Sequence, residues 1–317
     1  MILPTISFFV VAGLIALVTF RKTRGSENKS LEGYFLANRS LSPTFIAGSL
    51  ILTNISTEQI IGMNGLSYQD GLKCIAWEVM ASFSLVIFSL FVLPQYLKLG
   101  ITTVTEYLEK RYNSEIRLYV DTLFLAGYLL ILLPTILYSG AVGLAGIFNL
   151  QAIFDQSYLA TIVLCTTSLG IIGSIYAITG GLRSVAISDT LNGIGLLFGG
   201  AIIPVAGLIH LGDGNLFQGF HKLIHHSPEH FNAIGSSTSS VPFSTLFTGI
   251  MIANLFYWCT NQMIIQRALA TRSLSGAQKA IFATATFKLL SPLILVLPGM
   301  IAHCLFDGEP MSIDQAY

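Results

Sequence analysis

Residues 49–65 read SLILTNISTEQIIGMNG, and this stretch decides the fold. It lies inside an apolar region long enough to cross a bilayer, yet Thr53, Asn54, Ser56, Thr57, Glu58 and Gln59 interrupt it near its middle. Polar side chains at hydrocarbon depth are costly unless they face a bundle interior or a wet cavity. A transporter makes use of such a break, because unwound backbone there can coordinate an ion or a solute. The alternative is an unbroken helix whose Ser, Thr and Asn side chains bond to neighbouring helices.

The surrounding chain is that of an integral membrane protein. Of its 317 residues 53% are hydrophobic and only 10% charged, with a mean hydropathy of +0.72, whereas soluble domains are about a quarter charged. Net charge is zero, and no basic cluster or zinc-knuckle spacing points to nucleic acid. Cys74, Cys165, Cys259 and Cys304 all fall in apolar spans without CxxC or Cys/His spacing, so they read as buried small hydrophobes. The first twenty residues lack the basic start and small-residue cleavage site of a signal peptide and are kept as a span. HExxH, GxSxG and Walker A patterns are absent from the sequence, so the chain is not read as an enzyme.

Apolar windows of about 18 residues or more mark helical spans. They fall at 3–20, 44–66, 73–95, 118–148, 157–178, 185–211, 243–264 and 279–305. The expected fold is therefore all-α, with about eight transmembrane helices of which the second is discontinuous. Thirteen of the sixteen Lys and Arg residues fall in one set of loops, including Arg24, Lys29, Arg183 and Arg267, and two, Lys73 and Lys222, in the other. Basic loops stay inside, so the N-terminus is expected outside, and with eight spans the C-terminus also. The inner loop 100–117 is expected to form an amphipathic surface helix with Thr105, Glu109 and Lys110 solvated and Val104 and Leu108 on the membrane face. The outer loop 212–242 carries four histidines but no carboxylate or cysteine array to close a shell, so no transition-metal site is expected.

Four charged groups sit where charge is expensive: Glu58, Glu78, Asp189 and Lys288. Glu78 follows Trp77, an acceptor beside an aromatic platform that suits a polyhydroxylated solute. A Glu78–Lys288 ion pair that holds the bundle together is the other reading. In the seventh span Asn254, Tyr257, Trp258 and Asn261 recur at i, i+3, i+4 and i+7 and share a helical face. Trp258 is too near mid-span for an interfacial belt. Asp189 lies near the inner mouth, where it either attracts cations or caps the sixth helix together with Ser188.

Read together, TNISTEQIIGMNG (53–65), AWEVM (76–80), TVTEYLEKRY (103–112), YAITGGLRSVAISD (176–189), ANLFYWCTNQMIIQRALA (253–270) and FKLLSPLILVLPG (287–299) resemble the sodium:solute symporters. The resemblance runs from Tyr34 onward, is similar in motif order to the bacterial sodium/galactose transporters, and looks closest to an uncharacterised bacterial subgroup. It implies a core of two inverted five-helix repeats, sodium as the coupling ion, no other cofactor, and a sugar-like solute carried by alternating access across a bacterial plasma membrane. Residues 1–43 would then be a peripheral span and inner loop, 44–211 the first repeat, 212–242 an outer loop, and 243–317 the first two helices of an incomplete second repeat. Carried over by resemblance, Asn54, Glu78, Asn254 and Lys288 bind the solute and Trp258 belongs to the pocket. Tyr257 forms the inner gate, and Met63 and Trp77 contribute to the outer one. Carbonyls of Leu52 and Ile55 ligate sodium, and Asp189 lines the ion exit.

Two departures qualify the resemblance. The galactose transporters have Tyr where this chain has Trp77, and a pocket Ser where it has Ala81, which removes a hydroxyl. The chain also stops in the loop after the eighth span, which implies a truncated symporter whose missing C-terminal half would be its partner. A solute-sensing module that does not transport, or the remnant of a disrupted gene, are the alternatives.

Overall fold

The computed structural model describes residues 2–23 and 30–306. Arg24 and Lys29, counted above among the basic loop residues, and the chain end from 307 to 317 lie outside the described residues. Helix α1 (Ile2–Thr23) is followed by the short α2 (Leu31–Leu36) and then by α3 (Pro43–Asn54) and α4 (Thr57–Asp70), the halves of the interrupted span. Helix α5 (Ala76–Ile87) continues through a π turn into α6 (Leu93–Leu99). After α7 (Val104–Arg111), α8 (Ser114–Gly127) runs through a second π turn into α9 (Leu133–Phe148). The short α10 (Leu150–Phe154) precedes α11 (Tyr158–Leu211), and α12 (Leu216–His226) lies in the outer loop. A second interruption separates α13 (Gly249–Thr260) from α14 (Gln262–Ala268). Helices α15 (Leu274–Leu290), α16 (Pro292–Leu295) and α17 (Leu297–Leu305) follow.

Seven helical runs among the described residues are long and apolar enough to cross a membrane, one fewer than the eight spans expected. The difference lies at 44–66. Helix α3 has 12 residues, about 18 Å of rise, and so is too short alone, while α4 joins the run that ends at Leu99. Pro43 starts α3 at a position where its missing N–H is harmless. The helical ladder stops where the Ile55 amide donates to the Ile51 carbonyl, because Ile55 (φ −84°, ψ 97°) and Ser56 (φ −114°, ψ 171°) are extended. It resumes with the Ile60 amide on the Ser56 carbonyl.

Spans five and six, Tyr158–Ile175 and Gly180–Leu211, meet within α11 almost without a loop, at a kink on Gly181, whose φ of 56° and ψ of −167° suit glycine alone. A Cβ there would also press on the Tyr34 carbonyl, so the bend is held against α2. Asp189 consequently sits well inside α11 and caps nothing. Thr105, expected in solvent, is buried at the start of α7 beside the Thr103 hydroxyl. The Val104 amide donates to Gln262 Oε1 at 2.9 Å, which ties α7 to α14 and turns this face of the surface helix inward.

The largest core joins α3, α5, α13, α14 and α15 through Ile46, Leu50, Leu85, Trp258, Ile264 and Ile281. Buried Ala277, Ala280 and Ala285 let α15 approach its neighbours closely. Helix α17 packs on α4 by polar contacts. The Gly299 amide donates to Asn64 Oδ1 at 3.0 Å, and Ser67 Oγ donates to the Val296 carbonyl at 2.8 Å. By contrast α8, α9 and much of α11 turn large apolar side chains outward, with Leu118 69% and Leu130 76% exposed, as lipid-facing helices do.

In the outer loop the buried His230 ring lies 4.0 Å from that of His303 on α17, centroid to centroid. Burial, then the His303 imidazole, hold His230 below its ordinary value of 6.5; Glu229 and Asp70 oppose this shift and Lys73 reinforces it. Neutral His230 thus supports the docked loop fully above about pH 6.5, and that support is lost as pH falls from there through the lowered value. Amide hydrogen exchange over 227–235 is expected to quicken between pH 7.5 and pH 5.5 relative to intrinsic rates. Equal protection at both pH values would contradict this.

Candidate functional site

The first interruption brings its polar residues to one cavity of 460 Å³ between α3, α4, α5, α13 and α15. Asn54, Met63, Trp77, Glu78, Asn254, Tyr257, Trp258 and Lys288, each singled out from the sequence, all line it. Leu52 and Ile55 stand at the break itself, where the carbonyls that follow Ile51 lie beyond the last bond of the α3 ladder. Backbone freed in this way is a ready set of oxygen ligands.

Glu78 enters the cavity from the first turn of α5, where the helix dipole favours a carboxylate. Lys288 Nζ contacts both its oxygens, at 3.0 Å and 2.8 Å, with both side chains almost fully buried. Gln59 Nε2 donates to Oε1 at 2.8 Å, and the Ser291 hydroxyl donates to Oε2. Lys288 also sits 5.8 Å from the centroid of the Trp258 ring. Both readings of Glu78 therefore meet in one place: it is a buried ion-pair partner and it lines the cavity. Such a pair survives burial only because its hydrogen bonds are complete. Gln59 and Ser291, which complete them, were not identified from the sequence.

Other cavity groups are less satisfied. Asn54 Oδ1 is buried with no hydrogen-bond partner among the described residues, an unusual state for a native amide. Glu58 also lines the cavity and accepts from the Ser139 hydroxyl of α9 at 3.4 Å. Asn254 donates back to the Ile250 carbonyl at 3.0 Å. Tyr257 and Trp258 meet edge to face with centroids 5.2 Å apart. Asn261 departs from expectation. It is extended (φ −71°, ψ 122°) and forms the second break, and its Oδ1 accepts from the Met263 amide and the Tyr128 hydroxyl instead of facing the cavity.

Asp189 lies off the cavity, against Ser49 in the middle of α3. Its Oδ2 accepts from Ser49 Oγ at 2.6 Å and stands 3.4 Å from Arg267 Nη2. Arg267 also donates to Ser49 Oγ at 2.7 Å and to the Met263 carbonyl at 2.5 Å. Read from sequence as a loop cation, Arg267 is in fact buried in α14. The cluster pins α3, α11 and α14 together.

Two broken helices facing a polar cavity inside a multi-pass apolar bundle define a secondary-transporter architecture. The chain belongs to the sodium:solute symporter family, whose sequence pattern matches residues 34–314. It is 44% identical over 315 residues to the uncharacterized symporter YidK of Escherichia coli strain K12, covering 99% of this chain and 55% of that one. It is 34% identical over 296 residues to the sodium/glucose cotransporter of Vibrio parahaemolyticus, covering 91% and 52%. A sodium/myo-inositol cotransporter of Mus musculus is 28% identical over 324 residues, with 95% and 44% covered. The chain thus spans about half the length of these curated relatives. The fold matches that of a Na+-coupled sialic acid symporter solved in a substrate-bound outward-open state, with a TM-score of 0.79 and 18% identity over 97% of this chain and 63% of that one.

Proposed function

We propose that this chain carries the solute-binding cavity of a sodium-coupled symporter for a small polar, sugar-like solute. The observation that carries the reading is the buried Asn54 Oδ1, a cavity acceptor without a donor among the described residues. A solute hydroxyl satisfies it. In this reading Glu78, Asn254 and Lys288 bind further hydroxyls, Trp258 covers a ring face, Tyr257 closes the cavity below, and Met63 and Trp77 close it above. Leu52 and Ile55 give carbonyls to sodium, and Asp189 lies on the ion's way out. Sodium stabilises the outward-facing state, solute follows, and both leave inward, so differential binding to the two states couples the fluxes. In this reading residues 44–211 are the first repeat and 243–317 belong to the second. The protein lies in a bacterial plasma membrane with its N-terminus outside.

Both tryptophans of the chain, Trp77 and Trp258, line the cavity, so its own fluorescence reports occupancy. Glucose, galactose or myo-inositol is expected to change the emission of the purified protein in Na+ buffer, and to do so at higher concentration when choline replaces Na+. No response to any of the three in Na+ would sink the reading. A Glu78→Gln variant is expected to bind the responding solute up to about fivefold more weakly, since a charge-assisted bond becomes a neutral one. Unchanged affinity would assign Glu78 to the bundle alone.

A further inference from the structure

The charge balance of the cavity carries the argument one step further, resting on the reading just given. Two carboxylates and one ammonium line it. Lys288 is committed to Glu78 through both carboxylate oxygens, so that pair contributes no net charge. The nearby guanidinium of Arg267 is held by Asp189, Ser49 and Met263 outside the cavity. Glu58 is left with a hydroxyl at 3.4 Å and, among the described residues, no cation in ion-pair range. One turn earlier, across the break, Asn54 offers another acceptor with no donor. This side of the cavity offers acceptors with, among the described residues, no cation to balance them.

We propose that the cavity selects against negatively charged solutes and that Glu58 is the residue that sets this selection. A neutral polyol or hexose gives hydroxyl donors to Glu58 and Asn54. An ammonium-bearing sugar gives a charged donor. A solute carboxylate instead shares a partly desolvated cavity with an unneutralised carboxylate and finds no free cation, and like charges at such range repel strongly in a medium less polar than water. Glu58 acts here as a direct solute contact, whereas Glu78 and Lys288 together present a neutral surface.

The test uses three probes with one ring: glucose, glucosamine and glucuronate, titrated in Na+ buffer against tryptophan emission. In the parent protein glucuronate is expected to bind at least about tenfold more weakly than glucose, with glucosamine equal to glucose or tighter. In Glu58→Gln the penalty on glucuronate should shrink to about threefold or less and any advantage of glucosamine should vanish, while Glu58→Asp, which keeps the charge, should preserve the parent order. Glucuronate binding as tightly as glucose in the parent overturns the proposal. So does a penalty that survives in Glu58→Gln. If Glu58→Gln does not fold, the parent order and the Glu58→Asp order decide. If none of the probes binds, the proposal falls together with the cavity's role as a sugar site, whereas equal binding of all three removes the charge selection alone.

Discussion

Replacing Lys288 by Met is expected to destabilise the protein by about 3–5 kcal/mol, because it leaves the Glu78 carboxylate buried without its counter-ion. The lysine side chain is only 1% exposed and that of Glu78 2%, so water cannot take over. The remaining donors, Gln59 and Ser291, are neutral and make up only part of the loss. A double variant, Glu78→Gln with Lys288→Met, removes both charges and is expected to regain a large part of the stability while losing solute binding. Thermal unfolding in detergent, followed by size-exclusion monodispersity, distinguishes the cases. A double variant that melts lower than Lys288→Met would show that the pair is not a coupled unit.

The second large effect is expected at Arg267. This side chain bonds Ser49 of α3, Met263 of α14 and Asp189 of α11, so one residue joins three helices. Arg267→Ala is expected to lower stability by about 2 kcal/mol or more, since it strips charged hydrogen bonds from a buried cluster. It should also loosen the junction below the first break. A thiol placed at Thr53, one turn from Ser49 and bonded to its carbonyl, is then expected to react faster with a polar thiol reagent. The Asp189→Ala variant should behave alike, and the double variant little worse than either. Additive losses would mean that the two residues act separately. Unchanged reactivity at residue 53 would mean that the cluster does not close the bundle there.

The first break could be read directly, because six of the seven residues from Thr53 to Gln59 are polar side chains that a lipid-facing helix cannot hold. The second could not. Asn254, Tyr257, Trp258 and Asn261 fit a helical period without fault, and only the extended backbone at Asn261 shows that the period ends at Trp258. Periodicity reports which residues could share a face, not where the ladder stops. The chemical types at Glu78 and Lys288 were visible too. Their saturation was not, because Gln59 lies 19 residues and Ser291 213 residues from Glu78 along the chain. Arg267 misled for the same reason. Positive residues near span ends are read as loop charges, and only the placement of Asp189, 78 residues earlier, makes its burial tolerable. The break between spans five and six was visible at the Gly180–Gly181 pair, where one positive φ makes the kink that separates the two helices.

Glu78 already has protein donors on both oxygens, and this bears on how fast cargo could pass. On the proposed reading, a solute hydroxyl reaching that carboxylate would displace the Gln59 amide, so one neutral donor replaces another and the free-energy gain is small, about 1 kcal/mol. Weak holding goes with short residence, since differences in affinity are expressed mainly in the rate of escape. A vehicle that gripped its passenger at one face of the membrane would be slow to surrender it at the other. On the proposed reading of Glu78 as a solute contact, the saturated carboxylate favours throughput over grip.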